Sequence, residues 1–167
     1  LNVHSFPPIV DADSRYLILG SMPGVASLRA QRYYWNERNF MWRILYGLFS
    51  PGSAPSERYE DRVAFALNHG VALWDVIESC ERPGSLDSNI KQVIPNDIPG
   101  LLARFPKIGI LVCNGTKSHS ELNKHFGTDP EVVKRRIIRM PSTSPIPTRD
   151  YRGLDDRLAA WRALLEV

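Results

Sequence analysis

The sequence predicts an α/β protein, a three-layer α/β/α sandwich with a central four-stranded parallel sheet. Three observations predict it. Short apolar runs of strand length recur at residues 15–20, 71–76, 108–113 and 136–140. Segments with helical spacing separate them, as the crossovers between parallel neighbours require. A parallel sheet must be covered on both faces, so the intervening helices form two outer layers. The 167 residues, 43% of them apolar, can enclose one substantial core, and residues 1–167 read as a single domain.

Each element has its own signal. RYLILG, residues 15–20, is an apolar run that stops at glycine, the form of a buried strand opening into a loop. Met41, Ile44, Leu45 and Leu48 recur at helical spacing, and the pattern ends before Pro51 and Gly52. Ser56 is placed to cap a second helix, in which Tyr59, Val63, Ala66 and Leu67 share a face and Gly70 is the stop. Residues 71–76 form the next strand. Residues 78–95 carry Pro, Gly, Ser and Asp without a period and are expected to form one long connection. A short helix over 97–105, the strand 108–113 and a helix over 118–126 follow. The strand 136–140 and an amphipathic helix marked by Leu154, Leu158, Trp161 and Leu165 close the fold.

Composition narrows the function. No apolar run approaches the roughly eighteen residues of a spanning helix, and no basic leader precedes an apolar stretch, so a soluble, cytoplasmic protein is expected. Cys80 and Cys113 lie far apart without paired Cys or His spacing, which leaves no readable zinc or iron–sulfur site, and no metal is expected. His4, His69, His119 and His125 show neither triad nor metal spacing and read as surface or satisfied structural residues. A net charge of +3 and a pI near 9.0 permit an anionic partner.

In an open parallel sheet the ligand crevice lies beyond the carboxyl ends of the strands. Those ends are Gly20 and Ser21, Asp75, Asn114 and Gly115, and Pro141 and Ser142. The first, LILGSMPGVASL at 17–28, has a glycine turn, a proline and a second glycine that let backbone approach a ligand. It matches neither GxxxxGK[ST] nor GxGxxG, so a nucleotide cofactor has no local support; a plain strand-to-helix turn is the alternative. RYYWNERNFMW at 32–42 crowds aromatic rings with two asparagines ahead of a helix. Rings stack on an extruded base and an amide bonds a base edge or a water, whereas the bland alternative is an apolar minicore with capping amides.

Taken in order, GSMPG, YYWNERNFMW, ALWDVIESCERPGSLDSNI at 72–90, PNDI at 95–98, CNG at 113–115 and PSTSP at 141–145 resemble the uracil-DNA glycosylase superfamily. The resemblance is nearest its hypoxanthine-DNA (deoxyinosine) glycosylase branch and runs through nearly the whole chain. It implies hydrolytic removal of a base flipped from damaged DNA, double- or single-stranded, by a monomer needing no cofactor. In a bacterium or archaeon such a protein is expected at the nucleoid. Much of the superfamily has Asn or Asp before the first motif's proline, where it positions or activates water. Met22 stands there in this chain, and a thioether cannot do that work.

In the hypoxanthine branch an asparagine near the aromatic segment takes the central catalytic role, and Asn39 is the matching position. The resemblance places Gly20, Ser21, Met22, Pro23, Tyr33, Phe40, Asp75 and Asn114 around the base. Phe40 is the expected stacking ring and Tyr34 a further wall. A carboxylate at Asp75 accepts from a base N–H; alternatively it caps a turn or pairs with Arg82. Asn114 is a base-binding amide or part of a plain Asn-Gly turn. Ser142, Thr143, Ser144 and Arg149 are the expected DNA contacts, with Ser144 on a phosphate and Thr143 as a duplex wedge. Gly84, Ser85 and Asp87 are expected at the pocket rim. Hypoxanthine is the leading substrate and uracil its rival. A noncatalytic DNA- or nucleotide-binding module is the competing class, with Met22 as its argument.

Overall fold

A computed structural model describes residues 2–167. The four apolar runs become Tyr16–Gly20 (β2), Val71–Asp75 (β3), Ile110–Asn114 (β6) and Arg136–Met140 (β7), paired in parallel in the order β3-β2-β6-β7. Alternation along β2 explains the layers. Tyr16 and Ile18 join one core with Trp42, Ile44, Leu45 and Trp161, while Leu17 and Leu19 join another with Leu101, Leu102 and Leu122. Helices Met41–Phe49 (α2), Tyr59–Asn68 (α3) and Leu154–Trp161 (α7) bring residues to the first core. Ile98–Arg104 (α4), Thr116–Phe126 (α5) and the turn-length Pro130–Val133 (α6) cover the opposite face. Each leucine fully buried this way contributes about 1.5–3 kcal/mol. The predicted three-layer architecture is present.

The stretch over 78–95 departs from expectation. Instead of one long connection it contributes Ile77–Glu81 (β4) and Lys91–Pro95 (β5), which pair antiparallel and join Asn2–His4 (β1) in a second sheet of order β1-β4-β5. Two register irregularities interrupt β4 against β5, and β5 is largely exposed, so no clean apolar alternation was available to announce it.

Local signals also moved. Ser56 does not cap α3: the cap position is Arg58, and Ser56 Oγ instead accepts from Arg58 N at 3.2 Å and donates to Asp61 at 2.8 Å. Beyond Trp161 the chain tightens into a 3-10 turn, Arg162–Glu166, which rotates Leu164 into the core and leaves Leu165 51% exposed. A short helix, Val25–Ala30 (α1), follows the first glycine turn and carried no periodic signal. His69 is not fully satisfied: it stacks on Phe65, and among the described residues its buried Nδ1 has no hydrogen-bond partner.

Candidate active site

Parallel register brings the carboxyl ends of the strands to one edge, with Gly20 beside Asp75 and Asn114 beside Met140. A cavity of about 650 Å³ opens there, a volume suited to a small ligand. Gly20, Ser21, Met22, Pro23, Tyr33, Asn39, Asp75, Asn114, Ser142, Thr143 and Ser144 all reach its wall. Phe40 and Arg149 are not among the lining residues.

The floor is built around Gly20. A Cβ there would lie 2.4 Å from Asp75 Oδ1 and 3.1 Å from Tyr34 Oη, so only glycine lets both oxygens approach the strand end. Asp75 is 4% exposed; its Oδ2 and the Tyr34 hydroxyl are buried without a hydrogen-bond partner among the described residues. Burial pushes the Asp75 carboxyl up to about 7, with Arg82 opposing the shift and Asp87 adding to it. The Tyr34 hydroxyl is also raised, first by burial and then by the neighbouring Asp75 charge, with the nearby Asn114 amide opposing the shift, although that amide's hydrogen bonds go to Thr143. Asp75 forms neither a cap nor an ion pair with Arg82, whose guanidinium donates to the Pro23 and Gly84 carbonyls.

Asn39 stands at the start of α2, where its Oδ1 accepts from Met41 N at 2.9 Å in the manner of a cap. Among the described residues its Nδ2 makes no hydrogen bond, and the side chain lines the cavity. Phe40 follows, and its ring is covered by the guanidiniums of Arg43 and Arg157, 4.7 and 5.0 Å from the centroid. Tyr33 is largely core: it is 4% exposed and donates to Pro7 O at 2.8 Å.

The outer wall is residues 141–146. Asn114 holds it from both ends of one amide, Nδ2 donating to Thr143 Oγ1 and Oδ1 accepting from Thr143 N, each at 3.0 Å. The Asn114 side chain is thus a loop clamp. Thr143 is completely buried, and its carbonyl accepts from Phe40 N, so the sequence expectation of a duplex wedge at Thr143 is corrected. The exposed apolar side chain on this wall is Ile146, 55% exposed between two prolines. Arg157, 1% exposed, donates to Ser142 O at 2.7 Å, Ile146 O at 2.9 Å and Gly153 O at 2.9 Å.

The opposite rim is fastened to the small sheet. Ser21 donates to Asp87 at 2.7 Å and Ser85 Oγ accepts from Val25 N at 2.9 Å, which brings the predicted rim residues Ser85 and Asp87 to the cavity; Gly84 faces a separate groove. Met22 packs into a minor apolar cluster with Ile77, Cys80 and Ile90. Among the described residues no three His, Cys, Asp or Glu side chains gather as a metal site, and no helix is long and apolar enough to cross a membrane.

The sequence matches the family model of the uracil DNA glycosylase superfamily over residues 7–165. The chain belongs to that superfamily. Among curated relatives of this uracil DNA glycosylase family member, a hypoxanthine DNA glycosylase of Methanosarcina acetivorans is 35% identical over 161 residues, 95% of each chain. One of the same description from Methanosarcina barkeri is 34% identical over 113 residues, 68% of this chain and 71% of that one. A solution structure from Methanosarcina acetivorans, described as a candidate uracil DNA glycosylase, superposes with a TM-score of 0.76 at 28% identity, covering 99% of both chains.

For a superfamily member, the departure at Met22 now has a structural counterpart, since its side chain serves packing. Sequence reasoning missed Arg157 and Ile146. Arginine in a closing amphipathic helix reads as surface charge, and nothing in the sequence announces three distant carbonyls waiting for it. Ile146, a lone isoleucine between prolines, carried a signal that was legible in principle.

Proposed function

We propose that the protein is a monofunctional DNA N-glycosylase that extrudes a deaminated base, foremost hypoxanthine, and hydrolyses its bond to deoxyribose. The observation that carries this reading is the pairing, across one cavity at the strand ends, of an amide arm at Asn39 with the buried Asp75 carboxyl. The names of the two archaeal relatives support the choice of base.

Cleavage breaks the bond between C1′ and N9, leaves positive character on the sugar and sends the electron pair to the purine; water then adds its oxygen to C1′, and the proton it releases ends on the departing purine. A site for this reaction needs a donor aimed at the departing base. Asn39 Nδ2 is placed for that role because Oδ1 is already held by Met41 N, which fixes the amide's orientation. Asp75 accepts from a base N–H in its ionised form. Asn114 acts by clamping the outer wall, and Ser142 and Ser144 meet backbone phosphates at the rim. Ile146 is the apolar side chain placed to fill the gap left in the duplex. Arg149, exposed and outside the cavity, contributes charge to the DNA-facing side.

A single-turnover assay with protein in excess over duplexes carrying deoxyinosine or deoxyuridine tests the reading. Abasic sites from deoxyinosine, lost in Asn39→Ala, are expected. Cleavage of deoxyuridine alone would reassign the substrate. Binding without cleavage of either would favour the noncatalytic module, the reading that Met22 supports.

A further inference from the structure

Tyr34 is held in a way that ordinary packing does not require. Its backbone has φ +53°, the left-handed region, which a bulky aromatic residue adopts only under strain. Three side chains pin the chain on either side of it. Tyr59 Oη accepts from Tyr33 N at 3.0 Å, Trp42 Nε1 donates to Tyr33 O at 3.0 Å, and Ser27 Oγ accepts from Trp35 N at 3.0 Å. The outcome of this bracing is a ring in the cavity wall whose hydroxyl and the Asp75 carboxylate border the same point above Gly20. Both groups are buried and, among the described residues, both keep an oxygen without a hydrogen-bond partner. Buried polar atoms in folded proteins are nearly always satisfied, and two exceptions side by side in a cavity wall mark a place prepared for a ligand's own polar edge.

From this arrangement we infer that Tyr34 is a specificity-determining residue, its hydroxyl donating to the exocyclic carbonyl of the extruded base while Asp75 accepts from the adjacent ring N–H. The inference rests on the base-excision reading above and deepens it by naming the atoms that are read. Hydrolytic deamination converts an amino group beside a bare ring nitrogen into a carbonyl beside an N–H. A donor next to an acceptor-only carboxylate therefore matches the deaminated edge. Against adenine the carboxylate faces the N1 lone pair, and the mismatch leaves a buried charge unpaired. The pattern is shared by hypoxanthine and uracil and equally by guanine and thymine, so the pair rejects the amino-bearing edges of adenine and cytosine and leaves ring size, the guanine 2-amino group and the thymine methyl to the rest of the cavity.

The test is a cycle between one protein atom and one substrate edge. Affinities of wild type and Tyr34→Phe are measured for duplexes carrying 2′-fluoro-deoxyinosine, which resists cleavage, and for the matching 2′-fluoro nebularine duplex. Nebularine is a purine without the carbonyl and the ring N–H. Tyr34→Phe is expected to weaken the inosine duplex about tenfold and the nebularine duplex less than about twofold. Equal losses on both would make Tyr34 a merely structural residue and overturn the inference, as would no loss on either. Cleavage of ordinary deoxyinosine by wild type, run alongside, reports the enzyme reading separately. Coupling without cleavage would sink the enzyme and keep the base reader, whereas cleavage without coupling would do the reverse.

Discussion

Arg157→Lys tests whether a single guanidinium holds the cavity's outer wall. Arg157 is 1% exposed and donates to three carbonyls, two of them, Ser142 and Ile146, on the wall itself. A lysine ammonium on a flexible stem cannot bridge three carbonyls in one planar fork, so at least two contacts are lost. Charge-assisted bonds contribute about 1.5–3 kcal/mol each. Ser142 and Ile146 are exposed, so their carbonyls regain water when the wall loosens, and the net cost falls to about 2–3 kcal/mol. Urea denaturation should report that loss. Single-turnover cleavage at limiting protein should fall by roughly 30-fold or more, the factor about 2 kcal/mol represents, with a smaller drop at saturating protein. An Arg157→Lys protein with an unchanged urea midpoint and cleavage within about twofold of wild type would refute the assignment of wall stiffness to Arg157.

Other outcomes follow from the same geometry. The Asp75 carboxyl sits at about 7 when folded, above its ordinary value of 3.8, so the folded protein holds a proton that the unfolded chain releases; stability from this group is full below the ordinary value and lost as pH rises through about 7. Asp75→Asn should therefore raise the thermal midpoint at pH 8 relative to wild type, and it should flatten the rise in cleavage expected of wild type across pH 7. Asn39→Asp keeps the acceptor for Met41 N and removes the Nδ2 donor, so it should leave the thermal midpoint within a degree or two while cleavage drops at least about 100-fold; equal cleavage would rule out the donor role. Ile146→Ala should weaken affinity for lesion-bearing duplex several-fold without changing urea stability, because the side chain is 55% exposed, and a matching loss on single-stranded DNA would count against a wedge.

The sheet was legible because its strands announce themselves. Leu17, Ile18 and Leu19 are all fully buried, and a strand covered on both faces must be apolar throughout. Gly20, Asp75 and Asn114 followed from that, since topology alone puts strand ends at the crevice. The small sheet was hidden for the opposite reason: β5 is mostly exposed, and β1 is only three residues long, too short and too exposed to show an apolar pattern. Thr143 reads from the sequence as a duplex wedge, and only the Asn114 clamp, two hydrogen bonds across the sheet end, shows why it is interior instead. The left-handed backbone of Tyr34 depends on Ser27, Trp42 and Tyr59, three partners that no local pattern links to it.

Met22 has a consequence for how this family can change. Its thioether fills a cluster with Ile77, Cys80 and Ile90, the packing that joins the motif turn to the small sheet. Asn at that position would set an amide against these apolar groups, at about 1–3 kcal/mol unless it turned to the cavity that Met22 also lines. The contact between the first-strand turn and the small sheet is thus tied to an apolar side chain at position 22, and a polar one there comes at the expense of that anchor unless Ile77, Cys80 and Ile90 change with it.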